Sequence, residues 1–154
     1  MEKTFDEAQS LDLGKQIDSK AKQPFDNAHR GALVLKEAVY VQGFLVVGRQ
    51  PISLREHAWL EVGDRIIDPN FQFLHCSGTD LHYFAAQTLT SKQLKAAVEE
   101  ANEDYPDDPP LPVYGPPPYE YYGDVMLGGK AYLEAQRAAA AKCQDLMQPG
   151  LEEN

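Results

Sequence analysis

His57 and Asp68 are the residues whose types and spacing best suit chemistry: an imidazole near the start of one extended stretch and a carboxylate at the end of the next. Both belong to EHAWLEVGDRIIDPNF, residues 56–71. Strand alternation puts His57, Trp59 and Glu61 on one face and Ala58, Leu60 and Val62 on the other. Gly63-Asp64 supplies a tight two-residue hairpin turn, with glycine first as the mirror-image turn prefers. Residues 65–68 return as the partner strand, and Pro69 ends it because proline cannot donate to a ladder. The hairpin therefore brings a histidine close to a carboxylate able to orient it, the arrangement of a general base and its partner. A plainer reading stands beside this one. His57 is then a satisfied core or edge histidine, and Asp68 before Pro69 starts a turn.

Other elements have to position that hairpin. Residues 4–21 are polar, with Phe5, Ala8, Leu11 and Ile17 at roughly helical intervals, and predict a weakly packed helix broken at Gly14. After Pro24, Asp26 or Asn27 is placed to cap a helix over NAHRGALVLKEA whose buried stripe is Ala28, Ala32, Leu35 and Ala38. VYVQGFLVVG, closed by Gly48, reads as a central strand. Beyond Pro69, FQFLHCSGTDLHYFA reads as strand, turn and short strand. Ser91 opens a helix with Leu94, Ala97, Val98 and Ala101 on its inner face. The acidic residues from Glu99 to Asp108 lack the ligand alternation and glycine of a calcium loop, so they read as a solvated helix end. PPLPVYGPPPYEYYG is a stiff, polyproline-prone connector, and its Pro-Pro-Pro-Tyr at 116–119 fits the pattern that WW-type grooves accept. The last helix is alanine-rich, with Tyr132, Ala135, Ala139, Cys143 and Leu146 on one face.

The expected architecture is α+β in one domain. A small antiparallel sheet over about residues 39–85 packs on the helix that starts near Asn27, and later helices cover a face or edge. The segments are an N-terminal helical extension (1–22), the core (23–105), the Pro/Tyr connector (106–124) and a C-terminal helix and tail (125–154).

Composition removes several classes of function. The 154-residue chain carries a formal net charge of -10, which argues against binding a nucleic-acid backbone directly. Cys76 and Cys143 do not make a disulfide framework, and no pair among the cysteines and four histidines has zinc-ligand spacing. No metal or cofactor is expected. No apolar run reaches bilayer-spanning length and the N-terminus does not read as a signal peptide, so a cytoplasmic setting is expected. The oligomeric state is not readable.

HAWLEVGDRIIDPNF resembles the His and Asp strands of the papain-like and transglutaminase-like cysteine-hydrolase superfamily. Upstream, PFDNAHRGALVLKEAVYVQGF is similar to small bacterial and phage proteins of that kind, in which an aromatic-x-Asn-Ala helix start precedes a Tyr-Val-x-Gly strand. The resemblance spans residues 23–73, with a weaker echo at His82-Tyr83-Phe84. It implies His57 as general base, Asp68 as its orienting partner, Trp59 as a shield for the pair, and Asn27 and Tyr40 as residues of the binding cleft. The relatives place cysteine just before the aromatic-x-Asn-Ala run. Here that position is Pro24, which has neither a nucleophile nor an N–H.

Three functional expectations follow. In the first, the chain is a catalytically degenerate member that binds a protein or small ligand in the His57/Asp68 cleft, as a phage or mobile-element accessory or inhibitor protein would. In the second, Cys76 folds back to serve as nucleophile with His57 and Asp68, giving an active cysteine hydrolase or acyltransferase on an amide or peptide bond. The third is an acidic nucleic-acid mimic presenting Glu99, Glu100, Asp107 and Asp108 to a basic groove.

Overall fold

Alternation of apolar side chains builds a sheet at the centre of this chain, and helices form where the period lengthens. A computed structural model describes residues 3–112 and 129–147. In chain order the elements are β1 (Thr4–Phe5), α1 (Glu7–Gln16), α2 (Pro24–Val34), β2 (Val39–Val47), β3 (Ser53–Val62), β4 (Arg65–Ile67), β5 (Leu81–Leu89), α3 (Ser91–Asp104) and α4 (Gly129–Met147). Among the described residues the result is a mixed α+β fold, four α-helices on a five-stranded sheet of order β1-β4-β3-β2-β5.

β2 and β3 pair antiparallel along their whole length, with Val41 opposite Trp59 and Gly43 opposite His57. The expected hairpin is present. β3 returns as β4 with Val62 opposite Arg65, and Gly63 takes a φ of 60° in the turn, a conformation glycine adopts without steric cost.

Directly opposed residues share a face, so the sheet has two distinct sides. One carries Tyr40, Ala58, Leu60 and Ile67, buried with Ala28 and Ala32 of α2 and with Leu94 and Ala97 of α3. α4 packs against that side too: Tyr132 meets Phe44 edge-on, centroids 5.8 Å apart, and its hydroxyl accepts from Gln42 Nε2 at 2.6 Å. The other side carries Val41, Trp59 and Ile66, with Phe5 and Tyr83 packed on them. A neighbouring cluster of Leu45, Val47, Phe71 and Leu81 continues it.

Several sequence expectations need correction. The amino-terminal segment, described from residue 3, supplies a strand and core residues as well as helix α1. β1 joins the sheet in parallel beside β4, so the sheet is not purely antiparallel, and Leu13 and Ile17 are buried in the main core. α1 runs through Gly14, whose bare Cα lies against the Pro69 carbonyl. α2 starts earlier than expected, with Pro24 in its first turn and Asn27 buried inside rather than capping. Proline fits there because that N–H has no intrahelical acceptor. The same helix stops at Val34, with Leu35 as its C-cap. Phe71–Phe73 is a single 3-10 turn, not a strand, and the following strand, β5, runs on to Leu89. α3 is closed at its start by Thr90, whose side chain and that of Gln93 cap each other's backbone. The Pro-Pro-Pro-Tyr motif lies outside the described residues, as does most of the connector.

Candidate functional site

Leu60 opposes Ile67, so the next residue of the returning chain, Asp68, falls on the His57 and Trp59 side of the sheet. There His57 Nε2 lies 2.8 Å from Asp68 Oδ2. Both residues are buried, His57 at 2% exposure and Asp68 at 0%.

Asp68 is surrounded by donors. Oδ2 also accepts from the Tyr83 hydroxyl at 2.8 Å, while Oδ1 accepts from the backbone N–H and the side-chain amide of Asn70 at 2.9 and 2.8 Å. Its own N–H donates to Ser10 Oγ at 2.9 Å. Burial pushes the carboxyl pKa up, but His57, Asn70 and Tyr83 outweigh it and hold the group below its ordinary value. Burial and the adjacent carboxylate push the Tyr83 phenol well above its ordinary value, so it remains a donor.

A carboxylate only accepts, so the hydrogen between the two groups belongs to His57 Nε2. That leaves Nδ1 as the free nitrogen. It is buried, and it is the one buried side-chain N or O among the described residues with no hydrogen-bond partner. The serine-protease template assigns the nitrogens the other way, with Nδ1 on the aspartate and Nε2 towards the nucleophile.

Asn27 ties this pair to the first turn of α2. Its Nδ2 donates to Asn70 Oδ1 at 2.7 Å and to the Lys20 carbonyl at 2.7 Å. Its Oδ1 accepts from the Lys20 N–H and from Arg30 Nη2. Arg30 also donates to the Ile17 carbonyl. Helix start, Asp68 turn and imidazole are thus one hydrogen-bonded unit. Trp59 is wholly buried beside it, 6.3 Å from the His57 ring and close to parallel with it. The indole also meets Tyr83 at 4.8 Å, and its N–H donates to Glu61.

A cleft of about 430 Å³ opens over His57, and its walls include Lys22, Pro24, Arg55, Asn70 and His75. Pro24 and His57 face one space, so the start of α2 is beside the imidazole. Lys22 and His75 hold positive φ values of 63° and 54°, sparsely populated for residues with a Cβ.

Cys76 and Tyr40, both expected at the site, do not line the cleft. Cys76 packs half-buried against the Leu45, Val47, Phe71 and Leu81 cluster. Burial, reinforced by Asp80, pushes its thiol pKa up, the reverse of an activated nucleophile. Tyr40 is on the opposite side of the sheet, donating to Gln42 Oε1 at 2.7 Å. Strand alternation is the reason: Tyr40 shares its face with Leu60, not with His57.

Sequence reasoning missed Asn70, Tyr83, Lys22 and Arg55. Asn70 had a local signal, because Asp-Pro-Asn is a side-chain-closed turn in which the aspartate accepts from the residue two positions on. Tyr83 carried only the weaker echo at His82-Tyr83-Phe84 and no local signal for its bond to Asp68, since it arrives from β5 across β2.

Comparison with protein-family models, with curated proteins and with solved structures finds no match to this chain.

Proposed function

We propose that this chain is a binding protein built on a papain-like or transglutaminase-like α+β scaffold, with a protein or small ligand held in the His57 cleft and not cleaved there. The observation that carries the reading is Pro24, which stands in the first turn of α2 and lines the same cleft as His57. Acyl transfer at such a place needs a thiolate, whose pKa a helix N-terminus and a neighbouring imidazolium lower, together with N–H groups for the oxyanion. Proline supplies neither group. Cys76, the remaining thiol near the hairpin, is packed in an apolar cluster with its pKa raised. The His57–Asp68 pair then serves as a rigid polar floor, held by Asn27, Asn70 and Tyr83.

The test is alkylation of the intact protein with iodoacetamide at neutral pH, followed by mass spectrometry. Cys76 is expected to react slowly, at the same rate in the wild type and in His57→Gln. Rapid stoichiometric alkylation of Cys76 that requires His57 would overturn the proposal in favour of a cysteine hydrolase or acyltransferase.

A further inference from the structure

We infer that the guest of the His57 cleft is an anion, a carboxylate seated on His57 Nδ1 and flanked by Arg55 and Lys22 at the start of α2. The inference rests on the binding reading above and gives that ligand a chemistry.

The first observation is the unpartnered Nδ1 itself. A buried polar atom without a partner is destabilising, and His57 is 2% exposed with this atom unsatisfied. Nε2 is already committed to Asp68, so an oxygen entering the cleft has one ring nitrogen to meet. With a proton on Nδ1, that nitrogen donates to a guest carboxylate while Nε2 donates to Asp68.

The second observation is the charge of the walls. In a chain of net charge -10, the cleft has Lys22, Arg55, His57 and His75 on its walls and no Asp or Glu. Like most of the chain's lysines and arginines, Lys22 and Arg55 form no ion pair among the described residues; what sets these two apart is that they line the cleft. Among the described residues the Arg55 side chain donates only to the Ser53 hydroxyl, at 3.2 Å. Two cations beside a cleft free of acids await a negative group.

The third is the start of α2. Gln23 gives no side-chain cap, so the positive end of the helix dipole is left without a capping anion beside Pro24, where α2 meets the cleft. The nearby acids do not cancel this. Asp26, in the first turn, is held by Arg30 at 3.1 Å, Asp68 lies behind the imidazole with both oxygens occupied, and Glu56 points to the other face of β3.

A carboxylate fits better than a phosphate. Phosphate cradles are built from consecutive backbone N–H groups, and Pro24 removes one of them. A planar, singly charged group matches the fork of one arginine. The volume of about 430 Å³ suits a guest of small-molecule size.

The experiment follows the His57 ring by ¹H–¹⁵N correlation spectra of the full-length protein at constant ionic strength. The probes are benzoate, its neutral analogue benzamide, N-acetylphenylalanine as a peptide chain end, and inorganic phosphate. Benzoate or N-acetylphenylalanine should move the Nδ1 resonance saturably, and benzamide should not. Arg55→Gln and Lys22→Gln should each weaken binding by about tenfold, the loss of one charge-assisted bond, with the thermal midpoint unchanged. Tighter binding of the chain-end mimic would assign the carboxylate to a peptide terminus, and tighter benzoate to a free organic acid. No saturable response to either acid, an equal response to benzamide, or tighter binding of phosphate would each overturn the inference. Those failures leave slow alkylation of Cys76 standing, whereas fast His57-dependent alkylation removes the binding reading whatever benzoate does.

Discussion

Asp68 accepts from four donors in a space closed to water: His57 Nε2, the Tyr83 hydroxyl and the two N–H groups of Asn70. Asp68→Asn keeps the shape but turns one accepting edge into a donor. Whichever way the new amide is turned, its NH₂ faces either the two Asn70 donors or the His57 and Tyr83 donors. The substitution should therefore cost about 2–5 kcal/mol by urea denaturation at pH 7. Its pH profile should change as well. The folded pKa of Asp68 lies below the ordinary value of 3.8. The stability it contributes is therefore complete above that unfolded value and is lost as pH falls through the lower folded one. Wild type should show this loss in the acid limb and Asp68→Asn should lack it. Parallel acid limbs for the two proteins would mean that the carboxylate is not ionised in the fold.

At the scale of elements, what matters is that α2 begins where the β3–β4 hairpin ends. Pro24→Cys tests that meeting directly, because a thiol placed there has a helix start and His57 for neighbours. Its pKa should fall below the usual cysteine value of roughly 8.5. It should alkylate at least about tenfold faster than Cys76 at pH 7, and His57→Gln in the same background should abolish the advantage. Gly43 concerns the neighbouring seam. It opposes His57 on β2, at a register shift against β5, and a Cβ there would sit 2.0 Å from the Phe84 carbonyl oxygen. Because the obstacle is backbone, Gly43→Ala should destabilise by about 1–3 kcal/mol, read as a lower thermal midpoint. It should also disturb the Tyr83 bond to Asp68. These two positions mark what the sequence makes legible. The hairpin could be read because alternation and a Gly-Asp turn are local signals, and they suffice to set His57 beside Asp68. The start of α2 was placed too late because Asp26 and Asn27 look like caps, whereas the proline already accounts for the missing donor. The bond from Tyr83 to Asp68 could not be read, since the place of Tyr83 depends on how β5 slides past β2 at the Gly43 irregularity. Cys76 looked close to the pair along the chain, but it packs into an apolar cluster and is not among the residues that line the cleft.

For the whole molecule, the decisive fact is that the amino-terminal segment belongs to the fold. Phe5 packs on the clusters containing Trp59 and Phe71, with its ring 5.0 Å from that of Phe71, and Leu13 and Ile17 lie in the main core. Ser10 accepts from the Asp68 backbone and donates to the Asp6 carbonyl, while Ser19 donates to the Pro69 carbonyl at 2.9 Å. Removing residues 1–22 would take Phe5, Leu13 and Ile17 out of these clusters, three large apolar side chains each worth about 1.5–3 kcal/mol of burial. It would also leave the turn that carries Asp68 unsupported. That sum competes with the whole stability of an ordinary domain, about 5–15 kcal/mol. The truncated chain should therefore fail to fold cooperatively. Trp59, the sole tryptophan, reports this directly because it is fully buried against Tyr83. In the full chain its fluorescence and the far-ultraviolet dichroism should change together through one urea transition. In the truncated chain the emission should already be red-shifted in buffer, with no sigmoidal transition. A truncated protein that kept a blue, buried Trp59 signal and a cooperative transition would show that residues 23–112 and 129–147 hold the site without their amino-terminal support.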